Sequence, residues 1–226
     1  MAFSTPRTGH LSEARFESVY EPVEDSFLFL DALELNWEFI TKLKPSICLE
    51  IGCGSGIIST FICQNLHGLS ECFMLCVDIN PSAVQATQAT FAGNINRKSA
   101  VFDTVLGNLA TGLLPVSHGT VDLILFNPPY VVTTTEELET GDLASKAWAG
   151  GVNGREVLDK FFPQAVELLS RDGAMYCVAL KENNIEDIQA TVSALGLQTD
   201  IILSRRCRNE LLHILRFTRK QKDTPT

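Results

Sequence analysis

Short apolar runs rich in β-branched residues alternate with segments of helical character from residue 47 onward. This alternation restricts the possible folds most, because strands that alternate with helices form a parallel sheet covered by helices on both faces. The apolar runs predict strands at 47–52, 73–78, 99–103, 121–126, 174–180, 198–204 and 211–218. The segments between them predict helices at 56–67, 81–93, 154–170 and 184–195.

The last two predicted strands are joined by Arg208 and Asn209 without a helical segment, which indicates an antiparallel hairpin. Asn80 with Pro81 and Asn184 with Asp187 are typical of helix starts. Gly173 and Gly196 are interpreted as helix exits or as turns before the next strand. We therefore expect an α/β fold with seven strands in a mostly parallel sheet, helices on both faces and an antiparallel C-terminal hairpin.

The chain of 226 residues is 45% hydrophobic, which is enough for one domain with a full-sized core. We predict three parts, a lid segment at 1–45, the α/β domain at 46–219 and a basic or polar tail at 220–226. The first part is polar up to Phe16, and its apolar residues then recur at helical spacing, which predicts a helix that begins near Asp25. A segment ahead of the first strand can fold over the carboxyl edge of the sheet.

The net charge of −9 disfavours loose binding to the phosphate backbone, so we expect no stable nucleic acid binding. The basic residues near the C-terminus are interpreted as a solvated hairpin and tail rather than as an RNA-binding patch; they are Arg205, Arg206, Arg208, Arg216, Arg219, Lys220 and Lys222. No uncharged apolar run reaches the roughly 18 residues that a membrane helix requires, and the start lacks the apolar core of a signal peptide. We expect no membrane association.

The seven cysteines lie mostly inside apolar runs such as ICLEIGC and CFMLCV. Free cysteines behave there as small hydrophobic residues in a reducing compartment, so we expect a cytoplasmic or nuclear location. The chain contains no C-x-x-C pair, and the nearest approach to one, Cys72 with Cys76, falls in a strand-like run. We therefore predict no metal site.

Three glycines at every second position follow the first predicted strand, in the sequence EIGCGSG of residues 50–56. Glycine in such a turn permits positive φ and a close approach of a ligand to the backbone. A dinucleotide site would require G-x-G-x-x-G, but its third glycine position is Ile57. The spacing therefore favours a nucleoside ligand without a pyrophosphate.

Acidic residues end the first two predicted strands. Glu50 would bind the α-ammonium group of a methionine moiety, directly or through water, and Asp78 would accept hydrogen bonds from two ribose hydroxyls. With Gly52 and Gly54 between them, these residues predict a site for a sulfonium nucleoside, S-adenosylmethionine.

The fourth predicted strand ends in Asn127, Pro128, Pro129 and Tyr130, the most specific pattern in the sequence. The prolines stiffen the turn and leave carbonyl groups free to accept hydrogen bonds. An amide or exocyclic amine is a poor nucleophile because its lone pair is delocalised. The Asn127 side-chain oxygen and the Pro128 carbonyl could each accept one N–H and direct that lone pair toward a methyl donor, while Tyr130 stacks on the flat target group.

Segments over nearly the whole chain resemble the Rossmann-like class I methyltransferases, and within them the HemK-like glutamine methyltransferases that modify the GGQ motif of translation release factors. They are YEPVEDSFLFLDAL, LEIGCGSGIIS, VDINPSA, DLILFNPPYVV, AWAGGVNGREVLDKFF and VALKENN. The similarity is to the eukaryotic and archaeal branch, which lacks the N-terminal helical domain of the bacterial enzymes. Only about 45 residues precede the first predicted strand here.

The resemblance implies that Asp25 and Ser26 close over the cofactor. It also implies that Glu50, Gly52 and Asp78 hold the methionine and ribose parts of the cofactor, and that the segment from Asn127 to Tyr130 binds a glutamine amide. The chain departs from the family after the third strand, where an acidic residue commonly faces the adenine amino group. Here the sequence is Gly107, Asn108 and Leu109, and Asn108 could still accept that hydrogen bond without a charge.

The resemblance also implies a heterodimer with a small zinc-binding activator subunit that pairs along an exposed sheet edge. Our candidate is the third strand, Ser99 to Asp103, because an apolar edge that carries Val101 and Phe102 is otherwise an aggregation liability.

Two other substrates and a non-enzymatic role remain open. Adenine-N6 of DNA is also planar, but an enzyme acting on it must extract a base from the duplex, and no segment is long enough for a recognition module. Histone lysine, which the branch also implies, is not planar and would first have to lose a proton. A binding protein derived from an enzyme would have lost the motifs, which are all present.

The loop from Ala147 to Gly151 contains Trp148. Its side chain could line a substrate channel or could fill the core beneath the lid, and the sequence does not separate these two placements.

Overall fold

A computed structural model describes residues 3–66, 71–95 and 100–220, with Pro115 and Val116 described by their backbone alone. Over these ranges the strands are β1 Ile47–Ile51, β2 Phe73–Asp78, β3 Val101–Leu106, β4 Val121–Phe126, β5 Leu169–Leu180, β6 Leu197–Cys207 and β7 Glu210–Arg219. They form one sheet in the order β3-β2-β1-β4-β5-β7-β6. Pairing is parallel from β3 to β5, whereas β7 is antiparallel to β5 and β6. The predicted sheet and hairpin are confirmed.

The described α-helices are α1 Glu24–Leu35, α2 Trp37–Leu43, α3 Ile57–Leu66, α4 Pro81–Asn94, α5 Leu114–Ser117, α6 Thr135–Thr140, α7 Glu156–Leu168 and α8 Ile185–Ala194. The predicted caps are confirmed, since Asn80 accepts a hydrogen bond from the Ser82 N–H and Asn184 accepts one from the Asp187 N–H. The short helices α2, α5 and α6 were not predicted, because fewer than eight residues give little periodic signal.

The two faces of the sheet are covered by different helices. On one face, Leu123 and Leu125 of β4 pack in a cluster with residues of α1, α2 and α3. On the other, Ile124 and Phe126 pack with residues of α7 and α8. Alternate residues of a strand point to opposite faces, so helices on both faces are confirmed.

Strand β5 begins at Leu169, several residues before the predicted start, and the preceding helix ends at Leu168 rather than at 170. Val121 pairs with Leu169, but Leu123 pairs with Ala174, so the residues between them bulge out of the ladder. The predicted turn at Gly173 is wrong, because this glycine lies within the bulged strand, where a Cβ would come 2.8 Å from the Val121 carbonyl oxygen. Gly196, with φ +86°, follows α8 as predicted.

The predicted edge strand also differs in its bounds. It runs from Val101 to Leu106 rather than from 99 to 103, and Ser99 lies outside the described residues. Its position at the edge of the sheet is confirmed by the strand order.

The segment before α1 packs against α4, where Leu11, Phe16 and Val19 form a cluster with Ala83 and Ala86. The Asn80 side chain, which caps α4, also donates a hydrogen bond of 3.0 Å from Nδ2 to the Ser18 carbonyl. Asn80 therefore fixes the end of this segment at the carboxyl edge of the sheet, where the lid was predicted.

Much of the basic C-terminal cluster is engaged within the fold. Arg205 pairs with Asp31 at 2.6 Å, and Arg216 pairs with Asp200 at 2.8 Å. Arg219 donates hydrogen bonds to carbonyl groups at the end of α7. Lys222 lies outside the described residues. None of the helices found in the described part of the chain is long and apolar enough to cross a bilayer.

Candidate active site

The turn after β1 contains three glycines with positive φ, Gly52 at +63°, Gly54 at +49° and Gly56 at +73°. They serve different purposes. A Cβ on Gly56 would come 2.7 Å from the Thr87 Cα, so this glycine allows α3 and α4 to pack closely. A Cβ on Gly54 would meet nothing closer than 4.0 Å, so this part of the turn leaves open space beside the backbone. A ligand can therefore approach the main chain there.

Glu50 is buried below this turn. Its Oε2 accepts a hydrogen bond of 3.1 Å from the Ser59 N–H. Burial raises the pKa of the Glu50 carboxyl to about 8, only partly opposed by the hydrogen bonds from Ser59. A buried carboxyl group of this kind is suited to bind a cation, because a nearby ammonium group stabilises the ionised carboxylate.

Asp78 ends β2 on the other side of the turn. One carboxylate oxygen accepts the Gly54 N–H at 2.9 Å and the other accepts the Asn80 N–H at 2.8 Å. Burial raises the pKa of Asp78, and these backbone hydrogen bonds oppose the rise. Each oxygen retains a second lone pair, so the oriented carboxylate can accept a pair of vicinal hydroxyls.

The cavity continues along the loop after β3, with Asn108 and Leu109. Leu109 has φ +52°, a conformation that is unusual for a branched side chain. The turn is held by a 2.9 Å hydrogen bond from the Ala110 N–H to the Gln164 side chain. Ile79, which we did not predict, lines the same cavity and is 45% exposed, so it offers an apolar surface to a flat ring. Its position directly after Asp78 was the signal in the sequence.

The acceptor side of the cavity is built on Asn127 at the end of β4. Asn127 Nδ2 donates a hydrogen bond of 3.0 Å to Asp25 Oδ2, and the Tyr130 hydroxyl donates to the same oxygen at 3.0 Å. Asn127 Oδ1 is buried and has no hydrogen-bond partner within residues 3–66, 71–95 and 100–220. A buried acceptor without a donor costs about 1–3 kcal/mol, so it is suited to an N–H from a substrate.

Tyr20, in the segment before α1, lines the same cavity as Tyr130. Burial together with the nearby Asp25 carboxylate raises the Tyr20 pKa to about 12. The same two causes raise the pKa of Tyr130 above its usual value. Both phenols are therefore neutral hydrogen-bonding groups at physiological pH.

The main chain at Tyr130 is fixed from behind by residues that we did not predict. Asn183 Nδ2 donates to the Tyr130 carbonyl at 2.9 Å and to the Asn153 carbonyl at 2.8 Å. A Cβ on Gly154, with φ +65°, would collide with the Tyr130 carbonyl oxygen. The segments GGVNG and KENN thus support the turn, and their role could not be derived from spacing along the chain.

Every residue predicted for the site lines one cavity of about 380 Å³; these are Asp25, Ser26, Glu50, Gly52, Gly54, Asp78, Asn108, Leu109, Asn127, Pro128, Pro129 and Tyr130. The roles assigned to them individually remain predictions. Trp148 also lines the cavity and is 42% exposed, so it borders a channel and does not fill the core.

Together these residues combine a buried acid, an oriented carboxylate and an apolar ring surface, with an amide acceptor at the far end. The first three fit the amino acid, ribose and base of S-adenosylmethionine. The fourth fits a target nitrogen that carries hydrogen.

The family model of the methyltransferase small domain matches residues 26–146 of this chain. The chain is 45% identical to the mouse (Mus musculus) methyltransferase HEMK2, over 95% of this chain and 96% of that protein. It is 36% identical to the eRF1 methyltransferase catalytic subunit mtq2 of Schizosaccharomyces pombe, over 96% of each chain. Its fold is similar to that of a chain in the E. cuniculi Mtq2-Trm112 complex, described as responsible for methylation of the eRF1 translation termination factor. That match has a TM-score of 0.63 and 25% identity, over 90% of this chain and 99% of the other.

Proposed function

This chain belongs to the HemK-like class I methyltransferases, and we propose that it methylates the side-chain amide of the glutamine in the GGQ motif of a translation release factor. The methyl donor is S-adenosylmethionine. The observation that carries the proposal is the hydrogen bonding of the Asn127 side-chain amide. Its NH2 group donates to Asp25, while its oxygen is buried without a partner in the described part of the chain. The fission yeast relative, by its name, acts on eRF1.

S-adenosylmethionine, when bound, supplies an electrophilic methyl group on a positively charged sulfur. Glu50 holds the ammonium group of its amino acid part, and Asp78 holds the ribose hydroxyls. Gly54 leaves room beside the turn and at the same time orients Asp78 through its N–H. These residues bind and orient the donor.

The acceptor residues act on a nitrogen whose lone pair is delocalised. Asn127 Oδ1 accepts one N–H of the target amide and the Pro128 carbonyl accepts the other, which fixes the NH2 group in the cavity. Rotation of the nitrogen out of conjugation then exposes its lone pair to the methyl group. The nitrogen loses one of its two protons to solvent after the methyl group has arrived, so the enzyme supplies position and oriented dipoles here and no strong base is required.

A partner subunit is part of the proposal. The E. cuniculi relative is seen in complex with Trm112, and in this chain β3 is an edge strand. On β3 the side chains of Val101, Val105 and Leu106 are exposed, Val101 by 66%. We assign this edge to a small zinc-binding activator, because an exposed apolar strand edge readily pairs with another chain.

We propose that the reaction takes place in the cytoplasm or nucleus. All seven cysteines are free, which is the state that a reducing compartment maintains. Imaging of the tagged chain in cells tests this location, and secretion of the active protein would contradict it.

The substrate is tested with the chain co-expressed with its activator and supplied with labelled S-adenosylmethionine. The acceptors are a release factor with its GGQ motif, the same factor with glutamine replaced by glutamate, a duplex DNA and a histone. We expect label in the first protein alone, located on the glutamine by mass spectrometry. Label found mainly in the DNA or in the histone would contradict glutamine as the substrate and would identify the labelled acceptor in its place.

A further inference from the structure

The Asp25 carboxylate is only 3% exposed and lies in the first turn of α1. Both of its oxygens are engaged. Oδ1 accepts the Ser26 N–H at 2.6 Å and the Ser26 hydroxyl at 3.3 Å. Oδ2 accepts Asn127 Nδ2 and the Tyr130 hydroxyl, each at 3.0 Å. Asp25 therefore connects the lid segment to the acceptor residues.

The chemistry of this contact determines how the Asn127 amide is turned. An asparagine side chain has an NH2 end and an oxygen end of nearly equal size, and only the NH2 end donates hydrogen bonds. A carboxylate only accepts, so Asp25 requires the NH2 end of Asn127 to face it. The oxygen is thereby directed away from Asp25, and it is this oxygen that remains buried without a donor in the described ranges.

We propose that Asp25 is a positioning residue for methyl transfer, which holds the Asn127 amide with its oxygen toward the target nitrogen. This proposal rests on the proposed function and adds a determinant of acceptor specificity. With the amide in this orientation the site accepts a hydrogen bond from the target. With the amide reversed, two N–H groups would face each other, and the site would reject an unmethylated amide.

The substitution Asp25→Asn tests this orientation because it keeps the size of the side chain. The Ser26 N–H still requires an acceptor, so the oxygen of the new amide faces Ser26 and its NH2 group faces Asn127. Asn127 then turns its oxygen toward residue 25 and its NH2 group toward the target. We expect kcat to fall roughly 100-fold, the size of effect seen when one oriented hydrogen-bonding group is lost from an active site. The donor Kd should change less than about threefold, because Glu50 and Asp78, to which we assign the ammonium group and the ribose of the donor, are unchanged.

The double variant Asp25→Asn with Asn127→Asp exchanges the carboxylate and the amide, and it should restore part of the activity lost in Asp25→Asn. The NH2 group of residue 25 then meets one carboxylate oxygen of residue 127, and the other oxygen is again available to the target. We expect this double variant to be at least about tenfold faster than Asp25→Asn alone, a strongly non-additive result. Asn127→Asp alone places two carboxylates in contact and should be the least active of the three.

Wild type and variants are compared as complexes with the activator, using whichever acceptor the wild-type enzyme methylates. Tyr130→Phe serves as a control, since it removes the other hydrogen bond to Asp25 Oδ2 without reversing Asn127, and it should lose less activity than Asp25→Asn. A wild-type enzyme that binds the donor but leaves glutamine unmodified would contradict the proposed function alone. The positioning role is overturned if Asp25→Asn keeps kcat within about threefold of wild type, or if the double variant is no faster than Asp25→Asn.

Discussion

The main-chain N–H of Gly54 donates a 2.9 Å hydrogen bond to the carboxylate of Asp78. Gly54 follows β1 and Asp78 is the last residue of β2, so this bond joins the turn after β1 to the end of β2. Asp78 therefore fixes the turn through Gly54, in addition to the donor-binding role that we propose for it.

Asp78→Ala should abolish tight donor binding, because it removes the ribose acceptor and the anchor of the turn together. Hydrogen bonds to a charged group contribute about 1.5–3 kcal/mol each, so we expect the Kd for S-adenosylhomocysteine to rise roughly 100-fold in calorimetry. The exposed Asp172, located in the bulge of β5, is the control. Asp172→Ala should bind as wild type does, and unchanged binding by Asp78→Ala would exclude this role.

Glu50 should release a proton when the donor binds. Its pKa is about 8 in the free protein, so the carboxyl is mostly protonated at pH 7, and a bound ammonium group favours the ionised form. Calorimetry at pH 7 in buffers of different ionisation enthalpy should detect up to about one proton released by the wild type. Glu50→Gln should release none. Equal proton release by both proteins would show that Glu50 is not the group involved.

The same raised pKa makes stability depend on pH with a defined sign. Between its unfolded value of 4.5 and about 8, Glu50 is protonated in the folded state and ionised in the unfolded state. The folded state binds more protons there, so the stabilisation is complete below 4.5 and is lost as the pH rises toward 8. The Tm of Glu50→Gln minus that of wild type should increase across this window and then level off. A difference that is independent of pH would contradict burial of the ionisable group.

Gly154→Ala should impair the acceptor side of the site and leave donor binding intact. The added Cβ would collide with the Tyr130 carbonyl, and alanine is disfavoured at φ +65°. We expect a loss of about 2–4 kcal/mol in stability and a fall in kcat of at least about tenfold, with the donor Kd within about threefold. Gly93→Ala is the control, because its Cβ would meet nothing within 4 Å. Equal kcat in the two variants would contradict the supporting role of Gly154.

Val101→Asp should weaken the complex with the activator and leave the fold of the chain intact, because this side chain is largely exposed on the edge strand. A charge placed in an apolar interface is unfavourable, and we expect the Kd of the complex to rise at least about tenfold. Ile201→Asp is the matched control, since Ile201 is 48% exposed on β6, the opposite edge. If Ile201→Asp disrupts the complex and Val101→Asp does not, the partner pairs with β6.

The elements that the sequence predicted well carry local signals. Most of β4 is an apolar run, from Leu123 to Phe126, and Glu50 and Asp78 lie at or next to the last residues of β1 and β2. The contacts that complete the site are distant in sequence, since Asp25 and Asn127 are 102 positions apart and Asn183 and Tyr130 are 53 apart. No periodicity predicts such pairs. The bounds of β3 were missed because this strand is largely exposed and lacks the apolar pattern of the buried strands.

Single-turnover methyl transfer by Asn127→Ala, with the donor saturating, tests most directly whether the Asn127 oxygen holds the target nitrogen. We predict a donor Kd within about threefold of wild type and a transfer rate lower by at least about 100-fold. Transfer to glutamine at the wild-type rate by this variant would contradict the role of Asn127.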